Sequence, residues 1–224
     1  MTGARPTMTL YTAPLSMFGM KVEIALREKD LAFERVSVPY NPIDGYHPKH
    51  PDIVRINPKR QVPVLVHGGL ELFDSTQIFE YLEDLAPEPP LWPRAINERA
   101  SARQLEHKSD EVYFPHIIRL MSLQTTLTDP VAIAAIDGAK DYCQEMEKVL
   151  SDGDFLVGAF TYADIAFYMA QVFGERIGAP LTTDTPRLIG WRSRITQRPA
   201  VRRTLAPFVE FLRALGRPLP THLA

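Results

Sequence analysis

The chain has 224 residues, 45% hydrophobic and 23% charged, which is enough for one large domain or two small ones around a buried core. A formal net charge of -2 with no long run of one sign points away from nucleic acid and from anionic membrane surfaces. The single cysteine, Cys143, excludes an internal disulfide, and no apolar run approaches the roughly 18 residues of a membrane span. The opening MTGARPTMTLY is too short and polar for a secretory leader, so a cytoplasmic setting is expected.

In chain order, residues 8–11 read as a short strand and 20–29 as a helix with Val22, Ile24, Ala25 and Leu26 on its apolar side. A second strand is expected over 33–38, then a polar, proline-broken loop over 39–51 and a short apolar segment at 53–56. Val64-Leu65-Val66 and Glu71-Leu72-Phe73, joined by His67-Gly68-Gly69, read as a hairpin. Residues 75–85 form a helix whose Ile78, Phe79, Leu82 and Leu85 share one face. The order β-α-β-α-β-β-α implies a small mixed sheet with helices packed on it.

The run Ala86-Pro87-Glu88-Pro89-Pro90-Leu91-Trp92-Pro93 cannot be helix or central strand and marks a boundary. It divides the chain into a mixed α/β domain over 1–86, a linker over 87–94 and an all-helical domain over 95–224. Helices are predicted over 96–123 (bent at Pro115), 131–150, 164–173, 186–197 and 199–215. Thr161-x-x-Asp164 is a capping box, with Phe160 and Ile165 placed as its hydrophobic staple; it is a folding signal and carries no chemistry.

Three stretches carry candidate chemistry. Pro63 opens a strand although proline gives a ladder no N–H. A cis Val62-Pro63 bond would aim the Val62 N–H and C=O away from the sheet, towards an extended peptide laid antiparallel. A trans proline opening an edge strand is the alternative. Asp74 and Ser75 head a helix, where free N–H groups bind anions and a carboxylate holds an ammonium; together they suit an amino-acid head group. Asp74 acting only as N-cap is the plainer reading. Ser16 lies between the first strand and the first helix, where ligands of open α/β sheets bind, and its hydroxyl can donate to a thiolate or simply cap the helix.

Joined in order, these signals resemble a cytosolic glutathione transferase over nearly the whole chain, with a bacterial member of the serine-type classes (theta, zeta and tau) expected. The carrying residues are Ser16-x-x-x-x-Lys21-Val22-x-Ile24-Ala25-Leu26, Asn57-Pro58-x-x-Gln61-Val62-Pro63-Val64-Leu65 and Asp74-Ser75-x-x-Ile78-x-x-Tyr81-Leu82. Gly158-x-x-x-Thr161-x-x-Asp164-Ile165 and Trp191 with Arg198-Pro199-Ala200-Val201 follow in the second half. The resemblance implies a thioredoxin-like domain that binds glutathione as co-substrate, a helical domain that walls the site for a hydrophobic electrophile, a homodimer, and no metal.

Residue by residue, the resemblance implies that Ser16 hydrogen-bonds the glutathione sulfur and that Val62, before the structural cis-proline Pro63, pairs with the cysteinyl backbone. It gives Asp74 and Ser75 the γ-glutamyl end, Gln61 a contact to the tripeptide, and Lys49 the glycine carboxylate. Met17, Tyr113 and His116 are candidates for the electrophile pocket; Tyr113, Phe114, His116 and Met121 read equally well as core. Asp74 is one methylene shorter than the commoner glutamate, and Tyr11, where tyrosine-type classes keep their phenol, is the rival of Ser16. His47 and His50 are separated by Pro48-Lys49 and lack a third metal ligand. Asp152-Gly153-Asp154 is a turn. Cys143, mid-helix, reads as a packing residue. Glutathione-dependent isomerisation, dehalogenation or ether cleavage, and a non-catalytic binding protein of the same fold, are the other readings.

Overall fold

A computed structural model of the chain describes residues 7–224. They divide into two compact units, one holding the residues up to Pro89 together with Arg203–Phe211, the other Pro90–Arg202 with Leu212–Ala224.

The first unit is a four-stranded mixed sheet with helices. β1 (Met8–Thr12) pairs in parallel with β2 (Phe33–Ser37) and antiparallel with β3 (Val64–His67). β4 (Leu70–Phe73) pairs antiparallel with β3, giving the order β2-β1-β3-β4. The parallel neighbours are joined through α1 (Met17–Glu28), as a crossover requires. The hairpin needs only Gly68-Gly69, both at positive φ (55° and 88°), the conformation a two-residue turn asks of its central positions. In β1, buried Met8, Leu10 and Thr12 alternate with half-buried Thr9 and Tyr11, so the strand runs one residue beyond the predicted end.

Helix α1 begins three residues earlier than its apolar pattern suggests, because Ser16 caps it. It packs against α3 (Ser75–Leu85), whose Ile78, Phe79 and Leu82 are buried. The apolar segment near residue 53 is α2 (Pro51–Ile56), with proline in its first turn and the His50 ring accepting the Asp52 N–H. Ile53 packs with Ala13, Val38 and Val64 in a small second core that Tyr11, Tyr46 and Val62 border. Two buried charges are fully matched. Glu23 pairs with Arg27 at 2.8 Å and Arg35 at 2.9 Å. The Lys29 ammonium meets the Glu83 carboxylate at 2.6 Å and the carbonyls of Ala86 and Pro89 at 2.7 and 3.1 Å.

The second unit is helical: α4 (Ile96–Lys108), α5 (Phe114–Leu120), α6 (Pro130–Leu150), α7 (Tyr162–Arg176) and α8 (Pro186–Thr196). The last helix, α9 (Pro199–Ala214), contributes its Arg203–Phe211 stretch to the first unit. Where the sequence predicts one helix bent at Pro115, α4 and α5 are joined by a turn of π-helix, Ser109–Tyr113. Helix α7 is the core of the unit, buried from Tyr162 to Gly174; Phe167 stacks on Trp191 at 5.2 Å and meets Tyr113 edge-on at 5.3 Å.

The Thr161–Asp164 capping box is formed, and Asp164 does more than cap. Its two oxygens accept the Thr161 N–H at 2.9 Å, the Leu156 N–H at 3.0 Å and the Trp191 indole N–H at 2.8 Å. At the start of α8, Glu147 accepts the N–H groups of Arg187 and Leu188 at 2.9 and 2.8 Å, a carboxylate seated on a helix N-terminus. Among the described residues, no helix is long and apolar enough to cross a membrane.

Candidate active site

The register of the sheet decides which loops meet. Tyr11 stands opposite Val64, Val64 opposite Phe73, and Thr12 beside Ser37. The segments after Thr12, before Val64, after Phe73 and after Ser37 therefore leave from one end of the sheet, neighbours about 4.8 Å apart. They carry Ser16, Gln61-Val62-Pro63, Asp74-Ser75 and Lys49, in that order. Helices α1 and α3 begin at this end as well, so the positive ends of two helix dipoles face it.

Ser16 is the N-cap of α1: its Oγ accepts the Gly19 N–H at 3.0 Å. Capping and thiol activation are compatible, because a hydroxyl has two lone pairs and one hydrogen, and the cap uses one lone pair. The loop before it is pinned by Tyr46, whose hydroxyl accepts the Leu15 N–H at 3.1 Å. Tyr11, the rival donor, is otherwise engaged. It lies on the opposite face of β1 from Thr12 and donates its hydroxyl to Asp52 Oδ2 at 3.0 Å. Burial first, and then this bond, raise the Tyr11 pKa above its ordinary value. Asp52 is in turn held below the usual carboxylate range by Tyr11 and Arg55, which reaches on to Glu71 at 2.6 Å.

The Val62–Pro63 bond is cis. Val62 is half-buried and lies beyond the last β1–β3 pair, and no backbone group among the described residues takes up its N–H or C=O. The Asn57 amide donates to the Gln61 carbonyl at 2.7 Å and fixes the turn before it, leaving the Gln61 side chain exposed.

Asp74 is the N-cap of α3 and is exposed. Its Oδ1 accepts the Thr76 and Gln77 N–H groups at 3.0 and 3.3 Å. A carboxylate has about four acceptor sites, so the capped group can still receive an ammonium. Its φ of 76° belongs to a region sparsely used outside glycine, a local strain of the kind that gathers at ligand clamps. Ser75 is buried beside it and Lys49 is half-buried in the loop before α2.

The residues expected to line an electrophile pocket are placed differently. Met17 is 2% exposed and Tyr113 is fully buried, packed against Tyr142 and Phe167, so neither presents surface to a bound molecule. The π turn that ends at Tyr113 inserts an extra residue and resets the helix face, which a uniform helical period cannot reveal. His116 is half-buried with its ring over Gly138 of α6, where any side chain would collide with it. Burial, followed by the charge of Arg119, lowers its pKa. Cys143 is buried and its thiol is pushed up to about 12, the state of an unreactive packing residue.

Sequence reasoning passed over Thr12, Gly19 and Tyr46. Thr12 was legible only as the third inward position of β1, one residue past the predicted strand end.

Family models match both halves of the chain: "Glutathione S-transferase, N-terminal domain" over residues 10–90 and "Glutathione S-transferase, C-terminal domain" over residues 112–199. A stringent starvation protein A homolog of Coxiella burnetii is 36% identical over 110 residues, 49% of this chain and 50% of that protein. The chain thus spans about half the length of this relative. The probable glutathione S-transferase parC of Nicotiana tabacum is 28% identical over 214 residues, 89% of this chain and 91% of that one. Among solved structures, a glutathione S-transferase from Rhodospirillum rubrum F11 superposes with a TM-score of 0.76 at 26% identity, covering 89% of this chain and 92% of its own. On its thioredoxin-like sheet, its helical second unit and both family matches, the chain belongs to the glutathione S-transferases.

Proposed function

We propose that the protein is a glutathione transferase of the serine type, which binds glutathione in the first unit, ionises its thiol and adds the sulfur to a hydrophobic electrophile. The observation that carries this reading is the register that brings Ser16, Val62 and Asp74-Ser75 to one end of the sheet beside two helix N-termini.

The tripeptide is read along that end. Val62 offers its N–H and C=O to the cysteinyl backbone, an antiparallel pairing of one residue. The Asp74 carboxylate takes the γ-glutamyl ammonium, and Ser75, with the α3 N-terminus, takes its carboxylate. Gln61 and Lys49 contact the remainder, Lys49 at the glycine carboxylate. The sulfur then lies at the start of α1. A free thiol has a pKa near 8.5, and lowering it by about two units takes roughly 2.7 kcal/mol in favour of the anion. The Ser16 O–H, whose oxygen is fixed by the Gly19 N–H, supplies a direct donor, and the α1 N-terminus supplies the rest. Attack on the electrophile consumes the thiolate and needs no proton at the moment the carbon–sulfur bond forms.

Isothermal titration with glutathione, together with conjugation of a chloronitroarene and of a panel of epoxides and alkyl halides, tests the reading. Saturable binding with a glutathione conjugate as product is the expected result. Absence of saturable binding would remove it. Binding without any conjugate across the panel would leave a binding protein of the same fold.

A further inference from the structure

One buried polar group at this end of the sheet is unmatched. Thr12 is fully buried, and its Oγ1 has no hydrogen-bond partner among the described residues. Buried hydroxyls are nearly always paired, so an unpaired one beside a candidate site calls for a role. Thr12 is the last inward residue of β1, and its hydroxyl rests against the bare Cα of Gly19 in the first turn of α1. A Cβ at Gly19 would overlap Thr12 Oγ1 and stand 3.3 Å from Ser16 Oγ, so both hydroxyl oxygens flank one point beside the helix start. Gly19 is also the residue whose N–H the Ser16 cap accepts.

The Ser16 oxygen has two lone pairs and one hydrogen, and the Gly19 N–H fills one lone pair. A second donor on the remaining lone pair leaves the Ser16 hydrogen a single direction, outward. It also polarises the O–H and strengthens it as a donor. Thr12 has the free hydrogen for this, and the absence of a side chain at Gly19 leaves the path between the two oxygens open. The Thr12 hydroxyl is unpartnered in this structure, and side-chain rotamer changes are common when a preorganised site fills.

We propose that Thr12 is a positioning residue for Ser16: once glutathione is bound, its hydroxyl donates to the Ser16 oxygen and turns the Ser16 hydrogen onto the sulfur. The relay runs from Thr12 O–H to Ser16 Oγ and from Ser16 O–H to the thiolate, with no proton transferred. This rests on the reading of Ser16 as the thiol donor.

Thr12→Val removes the hydroxyl and keeps the shape; Thr12→Ser keeps the hydroxyl. The measurement is the pH dependence of thiolate absorbance in the enzyme–glutathione complex, with glutathione affinity from calorimetry alongside. Thr12→Val is expected to raise the bound-thiol pKa by roughly half a unit to one unit, which from a value about two units below that of the free thiol leaves about 1.5- to 3-fold less thiolate at pH 7, with affinity nearly unchanged. Thr12→Ser is expected to titrate as the parent, and Thr12→Val to add nothing in a Ser16→Ala background. If Ser16→Ala shifts the titration and Thr12→Val does not, the role of Thr12 is refuted while that of Ser16 stands. If Thr12→Ser shifts it as far as Thr12→Val, the effect is packing and the relay is wrong. If Ser16→Ala titrates as the parent, the serine donor is wrong and the relay goes with it.

Discussion

Tyr11 and Asp52 are joined by a 3.0 Å hydrogen bond that ties β1 to α2 on the face of the sheet away from Thr12. The Tyr11 hydroxyl is committed to Asp52, and its raised pKa makes it a weaker hydrogen-bond donor. Tyr11→Phe should leave the bound-thiol titration unchanged and lower stability by about 1 kcal/mol. Ser16→Ala should raise the bound-thiol pKa and lower kcat and kcat/KM together by about 10- to 1000-fold, with a smaller effect on glutathione Kd. The opposite pattern would make Tyr11 the donor.

Asp74 carries three burdens that different substitutions separate. Asparagine keeps the cap and tolerates the positive φ, but loses the charge. Asp74→Asn should therefore fold with the parent's stability and weaken glutathione binding by about 1.5–3 kcal/mol, roughly 10- to 150-fold. Asp74→Ala should weaken binding similarly and also lose about 1 kcal/mol of stability. Calorimetry paired with urea denaturation reads both quantities, and full-strength binding by Asp74→Asn would remove Asp74 from the site.

Gly19→Ala places a methyl group onto Thr12 Oγ1 and 3.1 Å from Thr12 Cβ. The first turn of α1 must lift from β1, at an expected loss of about 1–3 kcal/mol. Thr12→Ala removes the obstruction, so the double substitution should be more stable than the sum of the single losses predicts. Strict additivity in denaturant melts would mean that the two residues do not touch.

Glu175 makes an acid limit for the second unit. Burial opposes its charge, but the His222 ring, the Thr221 hydroxyl and N–H, and Arg192 overcome that, and its pKa is lowered from 4.5 to about 2. A depressed carboxylate pKa adds stability that is fully present above about pH 4.5 and is lost as the pH falls towards about 2. Glu175→Gln should be less stable at neutral pH and show a flatter decline between those values. An acid limb as steep as the parent's would show that other carboxylates set it.

Two copies of the chain should pair, with α3 and the stretch from α4 through α5 contributing, and sedimentation at micromolar concentration should give twice the mass of one chain. A single-chain mass at that concentration would refute the pairing.

What could be read in the sequence was what depends on neighbours along the chain. Thr161 and Asp164 are three residues apart, and their capping box formed as expected; the Leu156 bond to the same carboxylate comes from the loop before the helix and the Trp191 bond from another helix, and neither left a pattern in the sequence. The hairpin was legible because Gly68-Gly69 lies between two apolar runs. The grouping of Ser16, Val62 and Asp74 was not, since it depends on Tyr11 standing opposite Val64 and Val64 opposite Phe73; only the resemblance anticipated it. Of the two readings left open for Tyr113, pocket or core, its burial favours core; the π turn it ends could not be read from a uniform helical period.

Lys29 has a consequence for how the chain can be dissected. Its ammonium is 0% exposed and draws its oxygens from Glu83, Ala86 and Pro89, the last two in the proline-rich segment that reads as a linker. Those residues take the place of water around the cation, so they are part of the first unit's interior as much as of its exit. A fragment ended at residue 85 would keep the carboxylate and forfeit both carbonyls, leaving a positive charge with part of its shell gone. The modular seam of this protein is therefore set by the appetite of one lysine for oxygen, and it falls after Pro89, the second proline of the run.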